Sequence, residues 1–216
     1  RHALELKPDN PTACSSLLFI HNYLGDQPVG QLLADARRYG EVVAGKARRY
    51  TSWPNPPEPD RCLRVGLVSG DLCNHPVGYF LVGVLEALTL QAAGRVEIFG
   101  YANRPSNDET GKRIKACCRG WHSVLGLTDE ALARRIREDA IDILIDLSGH
   151  TAHSRLPVFA WKPAPVQASW LGYFATTGVA EMDYFIADPW TLPPSEETLF
   201  TEQVWPLREA YEMSPE

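Results

Sequence analysis

Three short stretches concentrate the side chains that can do chemistry, and each follows an apolar run. The first is Ser69-Gly70-Asp71-Leu72-Cys73-Asn74-His75-Pro76-Val77-Gly78-Tyr79, with an Asp, an Asn and a His in one turn. Histidine changes charge near neutral pH, so His75 there can act as acid, base or electrostatic partner. The same position also suits a helix cap or plain loop packing, and residue types alone do not separate these readings. The second stretch is Asp146-Leu147-Ser148-Gly149-His150-Thr151-Ala152-His153. Gly149 allows close backbone approach, and amides at the start of a helix expected to follow would suit an anionic or hydroxylated ligand. His153 is expected on that helix, in a structural or exposed role. The third is Trp170-Leu171-Gly172-Tyr173-Phe174-Ala175-Thr176-Thr177-Gly178. Its glycines bracket aromatics and two threonines, so the turn can cradle a sugar or pack tightly against the proline-rich segment upstream.

These loops need elements to hold them. From Leu63 the chain alternates strand and helix: strands at Leu63 to Ser69, Val96 to Tyr101, Trp121 to Leu125, Ile141 to Leu147, Pro165 to Leu171 and Asp183 to Ala187. Helical runs lie at Val77 to Leu90, Glu109 to Cys118 and Thr128 to Asp139, with Thr128 as a cap. The pattern predicts an α/β fold with an open, mainly parallel sheet, whose ligands bind beyond the carboxyl ends of the strands. Residues 1–45 are helical in pattern instead. Lys7-Pro8-Asp9-Asn10-Pro11 breaks one helix and starts another, and Gly25 to Pro28 separates that one from a third. Residues 46–61 form a proline-rich linker without regular structure, and residues 62–216 form the sheet domain.

Composition narrows the classes. The 216 residues are 44% hydrophobic and 22% charged, as in a globular chain. No apolar run approaches the ~20 residues of a membrane helix, so no membrane partner is expected. The net charge of -6 with scattered arginines gives no stripe for nucleic acid. Five cysteines match no zinc or disulfide pattern, which favours a reduced, cytoplasmic setting. No G-x-G-x-x-G, P-loop, H-E-x-x-H or Asp-x-Asp motif is present, and no metal is expected. The chain begins at Arg1 without Met and in mid-helix, and is expected to be a piece of a longer protein.

Taken together, the loops resemble the amino-terminal half of the catalytic region in tetratricopeptide-linked protein O-GlcNAc transferases, bacterial members above all. The resemblance is carried by Leu63-Arg64-Val65-Gly66, Ser69, Asp71 and His75-Pro76-Val77-Gly78. It continues through Ile141 to Thr151, Pro163-Ala164-Pro165-Val166-Gln167, Trp170-Leu171-Gly172-Tyr173 and Met182-Asp183-Tyr184. Ala3-Leu4-Glu5-Leu6-Lys7-Pro8-Asp9-Asn10 is similar to a junction between two tetratricopeptide repeats. The family often has Phe at Leu72 and Pro at Phe174, the latter beside the sugar site. The resemblance implies the amino-terminal lobe of a GT-B glycosyltransferase, inverting and metal-independent, with no cofactor. It implies UDP-GlcNAc as donor, Ser or Thr hydroxyls of a protein or peptide as acceptor, and a carboxy-terminal lobe that completes the nucleotide site. His75 corresponds to the family histidine at the cleft, as base or positioning group, with Asp71 beside it. Asn74, His150, Thr151, Leu171, Gly172 and Tyr173 are the expected substrate contacts.

Overall fold

The computed structural model describes residues 2–24, 28–58 and 60–207. Three helices come first: α1 (His2–Leu6), α2 (Pro11–His21) and α3 (Val29–Ala44). The Asn10 carboxamide oxygen accepts from the amides of Thr12 at 3.1 Å and Ala13 at 3.2 Å, so it caps α2 with Pro11 in the first helical position. Of the expected separator before α3, only Pro28 lies within the described residues.

The sheet domain runs β1 (Leu63–Ser69), α4 (Pro76–Gln91), β2 (Val96–Ala102), α5 (Glu109–Ala116), β3 (Gly120–Ser123), α6 (Asp129–Glu138) and β4 (Ile143–Asp146). A 3-10 turn at Leu156–Trp161 then leads to β5 (Val166–Trp170) and β6 (Tyr184–Ala187). A second at Pro194–Leu199 leads to β7 (Gln203–Pro206). The seven strands are all parallel in the order β3-β2-β1-β4-β5-β6-β7. Strand order reverses between β1 and β4, where Val68 pairs with Asp146. This is the switch point at which open α/β sheets bind ligands.

Successive strand residues face opposite layers. Leu67 and Ile98 pack with Leu81 and Leu85 of α4 and Ile114 of α5. Val68, Tyr101 and Leu144 pack instead with α6, the 156–161 turn and the amino-terminal helices. Helix α3 docks on the loop after β5 at very short range. A Cβ at Gly40 would overlap the Gly178 carbonyl oxygen, and one at Gly178, with φ +73°, would overlap that of Ala36.

The described residues of the linker have no regular structure and lie along the amino ends of the strands, away from the switch point. Trp53 donates to the Lys162 carbonyl at 2.9 Å, and Asn55 to that of Ala140 at 2.9 Å. Arg61 and the Arg64 amide converge on the buried Asp142 carboxylate, at 2.7 and 2.8 Å. Burial disfavours that charge, but these donors outweigh it and hold Asp142 below the usual carboxylate range.

Three expectations are corrected. His153 is not helical: it lies in a turn with φ 60°, and the 3-10 segment after it starts only at Leu156. The second loop therefore presents no helix start at Gly149. The third loop packs against α3 rather than the linker.

Candidate active site

The floor of the switch point is a buried hydroxyl pair. Ser69 ends β1 and Ser148 lies two residues beyond β4; both are 0% exposed, and they meet at 2.8 Å. Ser69 also accepts from the Asp71 amide at 2.8 Å, which starts the first loop. Behind them the Asp146 carboxylate, fully buried, accepts from the Gly149 amide at 2.8 Å and the Ser169 hydroxyl at 3.1 Å. Burial pushes its pKa up to about 6, against the pull of those donors. Asp146 thus shapes the turn that carries Gly149, whose φ of 53° and close approach to Tyr173 leave no room for a Cβ. Gly172 in turn lies against the Leu147 carbonyl, so the second and third loops form one packed unit.

His75 is the N-cap of α4, with Pro76 as the first helical residue. Its Nδ1 accepts from the Val77 amide at 3.3 Å. In the neutral ring that places the proton on Nε2, so His75 offers a donor there. Nε2 is 3.8 Å from the Asp71 carboxylate, near enough for charge attraction and too long for a hydrogen bond. Asp71 is buried, and burial raises its pKa against the opposing pull of His75, Arg104 and His153. Arg104 lies 3.9 Å from the same carboxylate and is half-exposed. The sequence reading missed Arg104, although it lies just beyond the carboxyl end of β2, the kind of position that singled out His75. Asn74 is exposed and accepts from the Tyr79 hydroxyl.

His150 is placed differently. It is 4% exposed, with Nδ1 2.9 Å from the Ser15 hydroxyl and Nε2 3.0 Å from the Thr177 carbonyl. Tyr39 and Tyr173 pack edge-on against it at 4.7 and 5.3 Å. Burial pushes its pKa down to about 4, so the ring is neutral and committed to joining α2, α3 and the third loop. Thr151 donates to the Ser148 carbonyl at 2.6 Å, and Asn22 at the end of α2 to the Tyr173 hydroxyl at 2.5 Å. Leu171 takes a left-handed φ of 72°. Asp71, His75 and Arg104 therefore form one cluster, and His150 and Tyr173 a second, more buried one.

Two cavities flank the loops. One of about 560 Å³ lies between α2 and residues 150–157, and one of about 290 Å³ lies beside Leu171, Tyr173 and Phe174. His75 lines neither of them. Among the described residues no group of three His, Cys, Asp or Glu side chains is arranged to hold a metal, and no helix is long and apolar enough to cross a membrane. All five cysteines are free thiols.

Residues 42–214 match the sequence pattern of glycosyl transferase family 41. The chain belongs to that family. It is 34% identical over 218 residues to SPINDLY of Petunia hybrida, described as a probable UDP-N-acetylglucosamine–peptide N-acetylglucosaminyltransferase; the match covers 99% of this chain and 23% of that protein. With the SEC protein of Arabidopsis thaliana, which has the same description, it shares 33% identity over 69% of this chain and 15% of that one. A solved structure of a mutant O-GlcNAc transferase from Thermobaculum terrenum superposes with a TM-score of 0.89 at 39% identity. That match covers 97% of this chain and 40% of the bacterial one. This family 41 chain thus spans less than half of the relatives it matches. The part it shares with the bacterial enzyme takes in the amino-terminal helices as well as the parallel sheet.

Proposed function

We propose that this chain is the acceptor-side lobe of an inverting, metal-independent family 41 enzyme. The enzyme moves N-acetylglucosamine from UDP-GlcNAc to Ser or Thr hydroxyls of proteins. The observation that carries the reading is the Asp71–His75–Arg104 cluster at the switch point of a chain matched over nearly its whole length by peptide N-acetylglucosaminyltransferases. Inverting transfer needs an acceptor hydroxyl aligned opposite the leaving diphosphate, and donors to take up the charge that builds there. With Nδ1 engaged by the Val77 amide, His75 serves as a positioning donor through Nε2–H, and the charges of Asp71 and Arg104 hold the ring's surroundings. Asn74 at the rim and the backbone around Gly172 contact substrate, while His150 and Tyr173 brace the third loop. The carboxy-terminal lobe supplies the cation for the diphosphate. The free thiols fit a cytoplasmic setting, and neither nucleic acid nor membrane is a partner.

The test is transfer by the complete enzyme from UDP-GlcNAc to a Ser-containing peptide, read by mass spectrometry with and without chelator. The expected result is an O-linked N-acetylhexosamine formed at the same rate in both. Peptide binding without turnover would replace this reading with that of a docking module.

A further inference from the structure

The connection from β5 to β6 joins two parallel strands without a helix. Such crossovers are usually helical, and a helix satisfies most of its own backbone. Residues 171–183 contain none, so the third loop must find other partners for its amides and carbonyls. The loop is also held in left-handed backbone near both ends, with Leu171 at φ 72° and Gly178 at φ 73°. For Leu171 that conformation has a cost, and it persists only where surrounding contacts over-determine it.

The contacts on the outer side come from Glu202, which directly precedes β7 and has no role so far. Glu202 is 5% exposed, and Thr176 and Thr177 beside it are buried as well. Its carboxylate accepts from the Thr177 amide at 2.7 Å, from the Thr177 hydroxyl, from the Thr176 hydroxyl at 2.6 Å and from the Thr201 hydroxyl at 3.2 Å. The threonine oxygens are already engaged. Thr176 Oγ1 accepts from the amides of Gly178 at 3.3 Å and Thr201 at 3.1 Å, and Thr177 Oγ1 from that of Val179 at 3.2 Å. Both hydroxyls are left with a proton to give, which an acceptor-only carboxylate takes. None of these donors is a cation. A carboxylate buried on neutral donors costs folding energy that an apolar side chain of similar size would not, so packing alone does not account for it.

We propose that Glu202 is a positioning residue for glycosyl transfer: it clamps residues 176–178 and so fixes the Leu171–Gly172–Tyr173 turn that holds the transferred sugar. This rests on the glycosyltransferase reading above. The clamp reaches the turn through its neighbours. Thr177, gripped by Glu202 at its amide and hydroxyl, meets His150 Nε2 through its carbonyl at 3.0 Å, and the His150 ring packs on Tyr173 at 5.3 Å. Gly178 is pressed against the Ala36 carbonyl of α3, which closes the other side. Leu171, Tyr173 and Phe174 then line the cavity of about 290 Å³ beyond the ends of β5 and β6. A turn in that position must be held closely, because misplacing a reacting group by about 1 Å costs about 10² in rate.

The experiment is steady-state kinetics of the complete enzyme with UDP-GlcNAc and a Ser peptide, on variants checked for folding by circular dichroism. Glu202→Gln keeps the shape but puts an N–H group where an acceptor oxygen stood, facing neighbours that are all donors. Its kcat is expected to fall at least about tenfold while the peptide KM stays within about twofold. Thr176→Val removes one donor and leaves Glu202 in place, and is expected to lose kcat in the same way. Thr176→Ser keeps the hydroxyl and is expected to restore most of that loss. A role confined to stability would lower Tm and leave kcat per folded enzyme unchanged. Wild-type kcat in folded Glu202→Gln would therefore overturn the proposal. So would equal activities of the two Thr176 variants, a comparison that decides alone where Glu202→Gln does not fold. A loss confined to the peptide KM would overturn it too, since it would assign the clamp to the acceptor. A wild-type enzyme that transfers to no peptide would instead remove the glycosyltransferase reading, and the positioning role with it.

Discussion

His75 does two jobs that a substitution can separate. As N-cap of α4 it accepts from the Val77 amide, a contact worth about 1 kcal/mol to helix stability. As a positioning donor it is expected to matter far more to turnover. His75→Asn keeps a good cap and removes the imidazole. Its denaturation midpoint should therefore match wild type while kcat of the complete enzyme falls by about 10². Near-normal kcat would reduce His75 to its cap. Two other residues set a pH dependence. The folded-state pKa of His150 is depressed to about 4, so its stability is fully present above its ordinary value and is lost as pH falls towards 4. Asp146 is raised to about 6, which has the opposite sense: it costs stability as pH rises from the ordinary carboxylate value through 6. The two oppose each other across the same window, each worth on the order of 3 kcal/mol. His150→Phe keeps a ring between Tyr39 and Tyr173 and removes one of the pair. In urea denaturation, the variant should lose less stability than wild type between pH 7 and about pH 4.5. Parallel losses in the two proteins would show that His150 titrates normally.

Among the elements, the contact between α3 and the third loop is the one a single atom can break. Gly40 and Gly178 bring two backbones together with no space for a methyl group on either. Gly40→Ala should lower stability by about 1–3 kcal/mol, seen as a drop in Tm, although alanine favours an isolated helix. A higher Tm would mean that helix propensity outweighs the clash. The sequence could show that α3 exists, through its apolar stripe, but not where it docks. β1, β2, β4 and β6 were legible because aliphatic or aromatic residues dominate each one, and β5 because apolar and polar residues alternate along it. β7 was not, since Gln203-Val204-Trp205-Pro206 is short, starts polar and ends in a proline that only an edge strand accepts. The buried 156–161 turn was hidden as well, because Pro157 breaks both the helical and the strand pattern. The sites follow the same logic. A rule about strand ends finds His75 and Asp71, whereas the burial of His150 depends on Ser15, Tyr39 and Thr177, which come together only in the fold.

For the whole molecule the question is how much of a transferase this chain can be. It covers 40% of the bacterial enzyme it superposes on, and the two cations buried among its described residues, Arg155 and Lys162, are committed to partners within the fold. Arg155 is bound to Asp129 at 2.8 Å and to the carbonyls of Val124 and Leu127. Lys162 is buried between Asp183 and the Glu181 carbonyl. Arg61 clasps Asp142 at the opposite edge of the sheet. At the candidate site, among the described residues, Arg104 faces the Asp71 carboxylate, so little net positive charge remains for a diphosphate. A nucleoside diphosphate gains most of its binding energy from donors and cations around its phosphates. The 216-residue chain alone should therefore bind UDP more weakly than micromolar, which corresponds to about -8 kcal/mol, in isothermal titration calorimetry. Adding the carboxy-terminal lobe should restore that affinity. A micromolar Kd for the chain by itself would place the nucleotide on this side of the cleft and make Arg104 its first candidate partner.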